Sequence, residues 1–170
     1  MEIYYAGIGS RETPEDVCRK MFKTGRALAQ LNYVLRSGGA AGADRAFEAG
    51  CDAGNGIKQI YLPYKRFNAN ESPYFGTTKA ARAIAKKYHP NWTVLSCLGR
   101  DFMGRNVYQL LGSDLSTPVQ FILCWTPNGR ITGGTGQALR MAEDYKIPIF
   151  NFAVTDDDTI SDFILSLRKG

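Results

Sequence analysis

The stretch Leu35-Arg36-Ser37-Gly38-Gly39-Ala40-Ala41-Gly42-Ala43-Asp44 restricts the fold more than any other part of the chain. An apolar run ends at Leu35, and after Arg36 only serine, glycine and alanine intervene before Asp44. A strand end, a glycine turn and a helix start in direct succession form the joint of a β-α unit. With nothing bulky between Ser37 and Ala43, backbone can approach a ligand closely there. Free N–H groups at the start of the following helix favour an anion, most often phosphate. On this stretch alone two readings stay open: a tight turn with no ligand, and one wall of a phosphate site.

The rest of the chain repeats the same alternation. Glu2 to Ile8 is a β-branched and aromatic run ending in Gly7-Ile8-Gly9-Ser10-Arg11, which predicts a central first strand. Thr13-Pro14-Glu15-Asp16 predicts a helix start, with a Thr cap and Pro at the first helical position. Val17, Met21, Leu28 and Leu31 recur on one face of that helix, and Asn32 closes it. Tyr33 to Leu35 is a short strand, and a helix follows from Ala43 to Ala53 until Gly54-Asn55-Gly56 stops it. Ile57 to Leu62 reads as a third strand.

Tyr64 to Gly76 has no clear period and is a lid, a rim loop or structural filler. Thr78 to Tyr88 is helical and His89-Pro90 ends it. Asn91 to Arg100 is read as a short extended connection, and Phe102 to Leu111 as a helix. Pro118 to Trp125 is a strongly apolar strand, and Thr126 to Thr132 a polar loop. Gly133-Gly134-Thr135-Gly136 opens a helix with Ala138, Leu139 and Ala142 on one face. Ile147 to Asn151 is the last strand and Thr159 to Leu167 the closing helix.

Strands alternating with helices imply an α/β fold: one three-layer Rossmann-like domain over residues 1–170, its sheet mainly parallel and helices on both faces. No repeat, linker or low-complexity tract breaks the chain. Such sheets bind ligands beyond the carboxyl ends of their strands. Three loops leave strands in that way: Gly7 to Arg11, Ser37 to Asp44, and Thr126 to Gly136. Their convergence favours a nucleotide pocket over a bare turn.

Composition excludes several alternatives. At 44% hydrophobic and 22% charged residues, with no long apolar run, a membrane span is not expected. The start of the chain lacks the pattern of a signal peptide, so a cytoplasmic protein is expected. Cys18, Cys51, Cys97 and Cys124 are widely spaced and His89 is the one histidine, so no metal site and no cofactor is expected, and the thiols read as buried and reduced. The formal charge of +5 suits phosphate-rich ligands, including nucleic acid, yet no basic tail concentrates it.

The three loops together resemble the Rossmann-like superfamily (SLOG) of the Lonely Guy phosphoribohydrolases and DNA-processing protein A. Gly9-Ser10-Arg11 and Ser37-Gly38-Gly39-Ala40-Ala41-Gly42-Ala43-Asp44 are similar to glycine motifs of the DNA-processing branch. Phe102-Met103-Gly104-Arg105-Asn106 and Thr132-Gly133-Gly134-Thr135-Gly136-Gln137-Ala138-Leu139-Arg140 stand where Lonely Guy enzymes carry Met-His-x-Arg-Lys and Pro-Gly-Gly-x-Gly-Thr-x-x-Glu. Tyr5 to Arg11, Arg105-Asn106 and Cys124-Trp125-Thr126-Pro127 look like small members of this superfamily encoded by tailed bacteriophages. The resemblance implies a homo-oligomer and a nucleotide-type small-molecule partner.

One departure matters most. The resemblance places Arg105 at the catalytic arginine but Arg140 at the catalytic glutamate, and a guanidinium cannot replace a carboxylate. An enzyme would need Glu143 or Glu48 to supply that carboxylate beside Arg105.

Three readings follow. The first is a binding protein for a phosphate-containing nucleotide, an ADP-ribose-like molecule or a cyclic nucleotide signal, without turnover, such as a phage protein sequestering a host defence signal. In it, Gly9, Ser10, Arg11, Ser37, Gly38, Gly39, Ala40, Gly42, Arg105, Asn106, Thr126, Gly133, Gly134, Thr135 and Gly136 surround the ligand. Asp44 and Gln137 bond ribose, and Trp125 or Phe67 stacks on a base. The second reading is a nucleoside monophosphate N-glycosidase using Arg105 and Glu143. The third is single-stranded DNA binding, with Tyr64, Phe67, Tyr74 and Phe75 stacking on bases; the absence of a concentrated basic stripe disfavours it.

Overall fold

A computed structural model describes residues 1–169. Five strands form one sheet: β1 (Ile3–Gly7), β2 (Tyr33–Ser37), β3 (Lys58–Ile60), β4 (Phe121–Cys124) and β5 (Ile149–Asn151). Their order is β3-β2-β1-β4-β5, and every pairing is parallel. The chain winds outward from β1 to one edge, then returns to place β4 on the other side of β1. The switch point of the sheet therefore lies between β1 and β4.

Among the described residues there are six α-helices: α1 (Glu15–Gln30), α2 (Ala43–Ala53), α3 (Lys79–Lys87), α4 (Cys97–Leu111), α5 (Gly133–Asp144) and α6 (Asp157–Leu167). Alternating side chains of the central strands divide the core into two layers. Tyr5, Leu35, Phe121 and Leu123 pack with Met21, Leu28, Phe47 and Ile160, from α1, α2 and α6. Ala6, Ile122 and Cys124 pack with Ala85, Val107, Leu110, Leu139 and Met141, from α3, α4 and α5. The expected three-layer arrangement is present.

Small residues set the closest approaches. A Cβ on Gly50 of α2 would overlap the Phe22 carbonyl of α1, so these two helices touch backbone to backbone. Gly42 has a φ of 80°, and its Cβ would lie 2.6 Å from the Ser10 carbonyl oxygen. That glycine is what lets the β2–α2 turn lie directly on the loop after β1. Just before that turn, Arg36 serves the fold: it donates to Gln59 Oε1 and the Thr117 carbonyl, at 2.9 and 2.6 Å, and stacks over Tyr4.

Several local expectations are corrected. Pro14 is the N-cap of α1 with no side-chain cap bond; Thr13 Oγ1 donates to the Ser10 carbonyl, bracing the first loop. Asn91 to Arg100 is not extended: it holds a 3₁₀ turn at Trp92–Val94 and the first turn of α4, capped by Ser96 accepting from Gly99 N–H. Glycine at position 99 and the polar Arg100-Asp101 pair hid that turn from an apolar-period reading. The segment from Tyr64 to Gly76 carries a 3₁₀ turn at Phe67–Ala69 and rejoins the sheet edge through a bridge between Leu62 and Phe75. All four cysteines are free, but only Cys51 and Cys124 are buried; Cys18 is half-buried and Cys97 exposed. Among the described residues no helix is long and apolar enough to cross a membrane.

Candidate functional site

The carboxyl ends of β1, β2 and β4 open into a cleft of about 520 Å³. Its walls are the loop Ile8 to Glu12, the turn residues Ala40 and Asp44, the α4 face from Phe102 to Gln109, and the stretch from Thr126 to Thr135. Phe67 closes one side. The switch-point geometry puts all three strand-end loops on one cavity, which is what their sequence positions predicted.

Arg105 is the hub. It is 6 % exposed, and it donates from Nη1 to the Gly38 carbonyl and to the Tyr61 carbonyl at 3.4 Å. Its Nε donates to Asn106 Oδ1 at 3.0 Å. Asn106 Nδ2 in turn donates to the Gly134 carbonyl and to Gln137 Oε1, each at 3.1 Å. Gln137 Nε2 reaches the Ala85 carbonyl at 3.5 Å. One polar relay thus ties the β2 turn to the start of α5 through α4. Phe102 and Phe67 stand 5.5 and 6.0 Å from the guanidinium carbon. Burial lowers the Arg105 pKa, nearby Asp44 raises it, and Arg11 lowers it further; a guanidinium starting this high stays charged.

Asp44 changes the meaning of the glycine turn. Its Oδ2 accepts from the Ala40 N–H at 3.2 Å, so the carboxylate occupies the position where the turn would hold an anion. Burial pushes its pKa up to about 6, against the opposing pull of Arg105 and of the Ala40 and Gly38 amides. The Ser37–Asp44 turn is therefore satisfied from within.

The start of α5 is different. Its N-cap, Thr132, makes no side-chain cap bond, and Gly133 has a φ of 66° with open space where a Cβ would be. Gly136 N–H donates to the Thr132 carbonyl, but the Gly134 and Thr135 amides make no hydrogen bond among the described residues. Gly133, Gly134 and Thr135 all line the cleft, as does exposed Arg11.

Gly9, Ser10, Arg11, Ala40, Asp44, Arg105, Asn106, Thr126, Gly133, Gly134 and Thr135 all lie on the cleft wall. Others that the sequence suggested do not. Ser37 is fully buried and donates to the Gly7 carbonyl at 2.6 Å. Gly38 contributes a carbonyl to Arg105, Gly39 borders a separate polar cavity, and Gly42 packs on Ser10. Trp125 leans on the first core layer, and its carbonyl accepts from Ser10 N–H at 3.1 Å. Gly136 packs on Ile131, and Gln137 sits behind Asn106 with no exposure.

The carboxylates proposed to replace the missing glutamate are also elsewhere. Glu143 is exposed and outside the cleft wall. Glu48 is paired with Lys58 at 3.0 Å and with Asn70 at 3.1 Å beside the separate cavity. Arg140 donates to the Tyr88 and Ile131 carbonyls, at 2.8 and 3.5 Å, and does not line the cleft either.

The sequence reading missed Gln109. It is 2 % exposed and lines the cleft, one helical turn beyond Arg105. A polar residue at that spacing inside the apolar run Val107 to Leu111 was the available signal.

No family model and no curated protein matches the chain. Six solved chains do. DNA processing protein A from Helicobacter pylori, described for its single-stranded DNA binding mode, superposes with a TM-score of 0.62 at 17% identity, over 98% of this chain and 80% of that one. The Moco carrier protein of Chlamydomonas reinhardtii superposes at 0.57 and 16% identity, over 100% and 86%. A second structure of that carrier gives 0.56 and 15% identity, over 100% and 87%. At these identities the likeness is one of fold, and it agrees with the Rossmann-like arrangement.

Proposed function

We propose that this protein binds a phosphate-containing, nucleotide-type small molecule in the switch-point cleft and does not turn it over. The observation that carries the reading is the uncapped start of α5, where the Gly134 and Thr135 amides make no hydrogen bond among the described residues, on a cleft that Arg11 also lines. Backbone N–H groups at a helix start and a nearby guanidinium are an anion site. The phosphate end thus moves from the Ser37–Asp44 turn, where Asp44 already stands, to α5.

Absence of turnover is favoured by where the carboxylates lie: Glu143, on which the N-glycosidase reading relies, is outside the cleft, and the carboxylate beside Arg105, Asp44, is buried and already accepts from the Ala40 N–H. The Moco carrier protein supports a small-molecule role by its name. DNA processing protein A keeps single-stranded DNA as the second reading.

The test is calorimetry of the purified protein with a panel of mononucleotides, cyclic nucleotides and ADP-ribose, with mass spectrometry of small molecules released on denaturation. An intact ligand and at least tenfold weaker binding by Arg11→Ala are expected, since a charge-assisted bond contributes about 1.5–3 kcal/mol. Free base in the incubation supports the enzyme reading instead. Binding confined to oligonucleotides, falling steeply with salt, supports the DNA reading.

A further inference from the structure

Residues 64–69 are held at the cleft by a single ring. Tyr64, Lys65, Arg66, Asn68 and Ala69 are exposed, while Phe67 between them is 7 % exposed and lines the cleft. Its ring meets Phe102 of α4 edge to face, with centres 5.4 Å apart. Both ends of this strap are fixed. Leu62 N–H donates to the Tyr74 carbonyl at 2.9 Å, and Asn70 Nδ2 to both Glu48 carboxylate oxygens at 3.1 Å. Between those ends the backbone bonds close within the strap, from Phe67 N–H to the Tyr64 carbonyl and from Ala69 N–H to the Arg66 carbonyl. Arg66 pairs with Glu71 of the same loop, both exposed. Among the described residues one side-chain bond of the strap reaches the body of the fold, Asn68 Nδ2 to the Gly39 carbonyl at 3.1 Å.

The strap also holds a conformation that its residues resist. Arg66, Asn68 and Ala69 have φ of 62°, 52° and 59°, and none is glycine. The left-handed region is unfavourable for most side chains, asparagine tolerating it best, and such strain clusters in segments that clamp or release ligands. There is also room to leave that conformation. Asn68 and Ala69 line a second cavity of about 700 Å³, so the strap stands between two spaces, the cleft at Phe67 and this cavity at the next two residues. We propose that residues 64–69 are a gate: they close the cleft while Phe67 is seated against Phe102, and admit a small molecule when the left-handed turn relaxes towards the second cavity and withdraws the ring. The inference concerns entry to the cleft and does not depend on the nucleotide reading above. With Phe67 seated the cleft still has about 520 Å³, within the range of pockets that hold small molecules, so the closed form is the one that retains a ligand. Entry and exit then wait on opening, whereas the closed form sets the affinity.

The experiment is fluorine NMR of the full chain carrying 4-fluorophenylalanine at position 67, in the wild type, Ala69→Gly and Asn68→Ala. Thermal unfolding confirms that each protein is folded. Exchange between a buried and a solvent-exposed resonance is expected on the microsecond-to-millisecond timescale, read as relaxation dispersion. Ala69→Gly removes the left-handed penalty of the closed turn and is expected to lower the open fraction about fivefold. Asn68→Ala removes both the bond to Gly39 and a side chain that tolerates this region, and is expected to raise the open fraction by about the same factor. Stopped-flow binding of ADP-ribose to the same proteins gives the second readout. Association and dissociation should both slow about fivefold in Ala69→Gly and quicken in Asn68→Ala, with the affinity changed by less than about twofold. A turn with a structural role alone would move the affinity together with the stability instead. A single fluorine resonance without dispersion in every protein, or binding rates indifferent to both variants, overturns the gate and leaves the nucleotide reading standing. Fluorine exchange that answers to both variants, with no binding of ADP-ribose or of the wider panel above, supports the gate and overturns the nucleotide reading.

Discussion

Asp44→Asn gives a direct measure of how the cleft floor is built. Asp44 is 3 % exposed, and burial raises its pKa from 3.8 to about 6; Glu48 adds to the rise, while Arg105 and the Ala40 and Gly38 amides oppose it. The folded protein therefore holds the proton more tightly than the unfolded chain. Stability from this group is fully present below the unfolded value, near pH 4, and is lost as pH rises through about 6. A gap of about two units corresponds to roughly 3 kcal/mol at full extent, and about 2 kcal/mol of it is in place by pH 4.5. Asparagine keeps an oxygen for the Ala40 N–H and removes the titration. Urea unfolding of both proteins at pH 7.5 and 4.5 is the assay. The other carboxylates titrate alike in both, so their contributions cancel in the difference. The variant should hold an advantage over the wild type at pH 7.5 that shrinks by about 2 kcal/mol at pH 4.5. A difference that stays constant, or widens on acidification, would mean that Asp44 is not a desolvated carboxylate, and the account of the glycine turn would fall with it.

Two further outcomes test the packing and the missing carboxylate. Gly50→Ala adds a methyl group that overlaps the Phe22 carbonyl; despite a helix-propensity gain of about 1 kcal/mol, a net loss of about 1–3 kcal/mol in urea unfolding is expected. An unchanged midpoint would show that α1 and α2 can separate freely. Arg140→Glu restores the enzyme motif in sequence only: the side chain at 140 lies outside the cleft wall, so chromatography should find no free base released from AMP or GMP. Release of base would show that a carboxylate at position 140 reaches the ligand and would refute the reading without turnover.

Much of this architecture was legible because local and long-range signals agreed. Alternating apolar runs and glycine-punctuated turns gave the order of strands and helices, and parallel winding then brought the three loops to one edge. What stayed hidden was the use each loop makes of its own amides. Two glycine-rich helix starts look equivalent as sequence, yet one has an aspartate two residues after its N-cap and folds that carboxylate back onto Ala40 N–H. The other has glycine, threonine and glycine there, with no side chain to reach back, and leaves its amides to the cleft. Anion binding is thus decided by the residues that follow the glycines as much as by the glycines themselves. The same logic explains Arg105. The carbonyls it meets follow β2 and β3, far from it in the sequence, so only the folded chain shows that its guanidinium is spent on Gly38 and Tyr61. A buried arginine that bonds backbone carbonyls holds the cleft in shape, which a sequence motif alone does not distinguish from an arginine that meets a ligand.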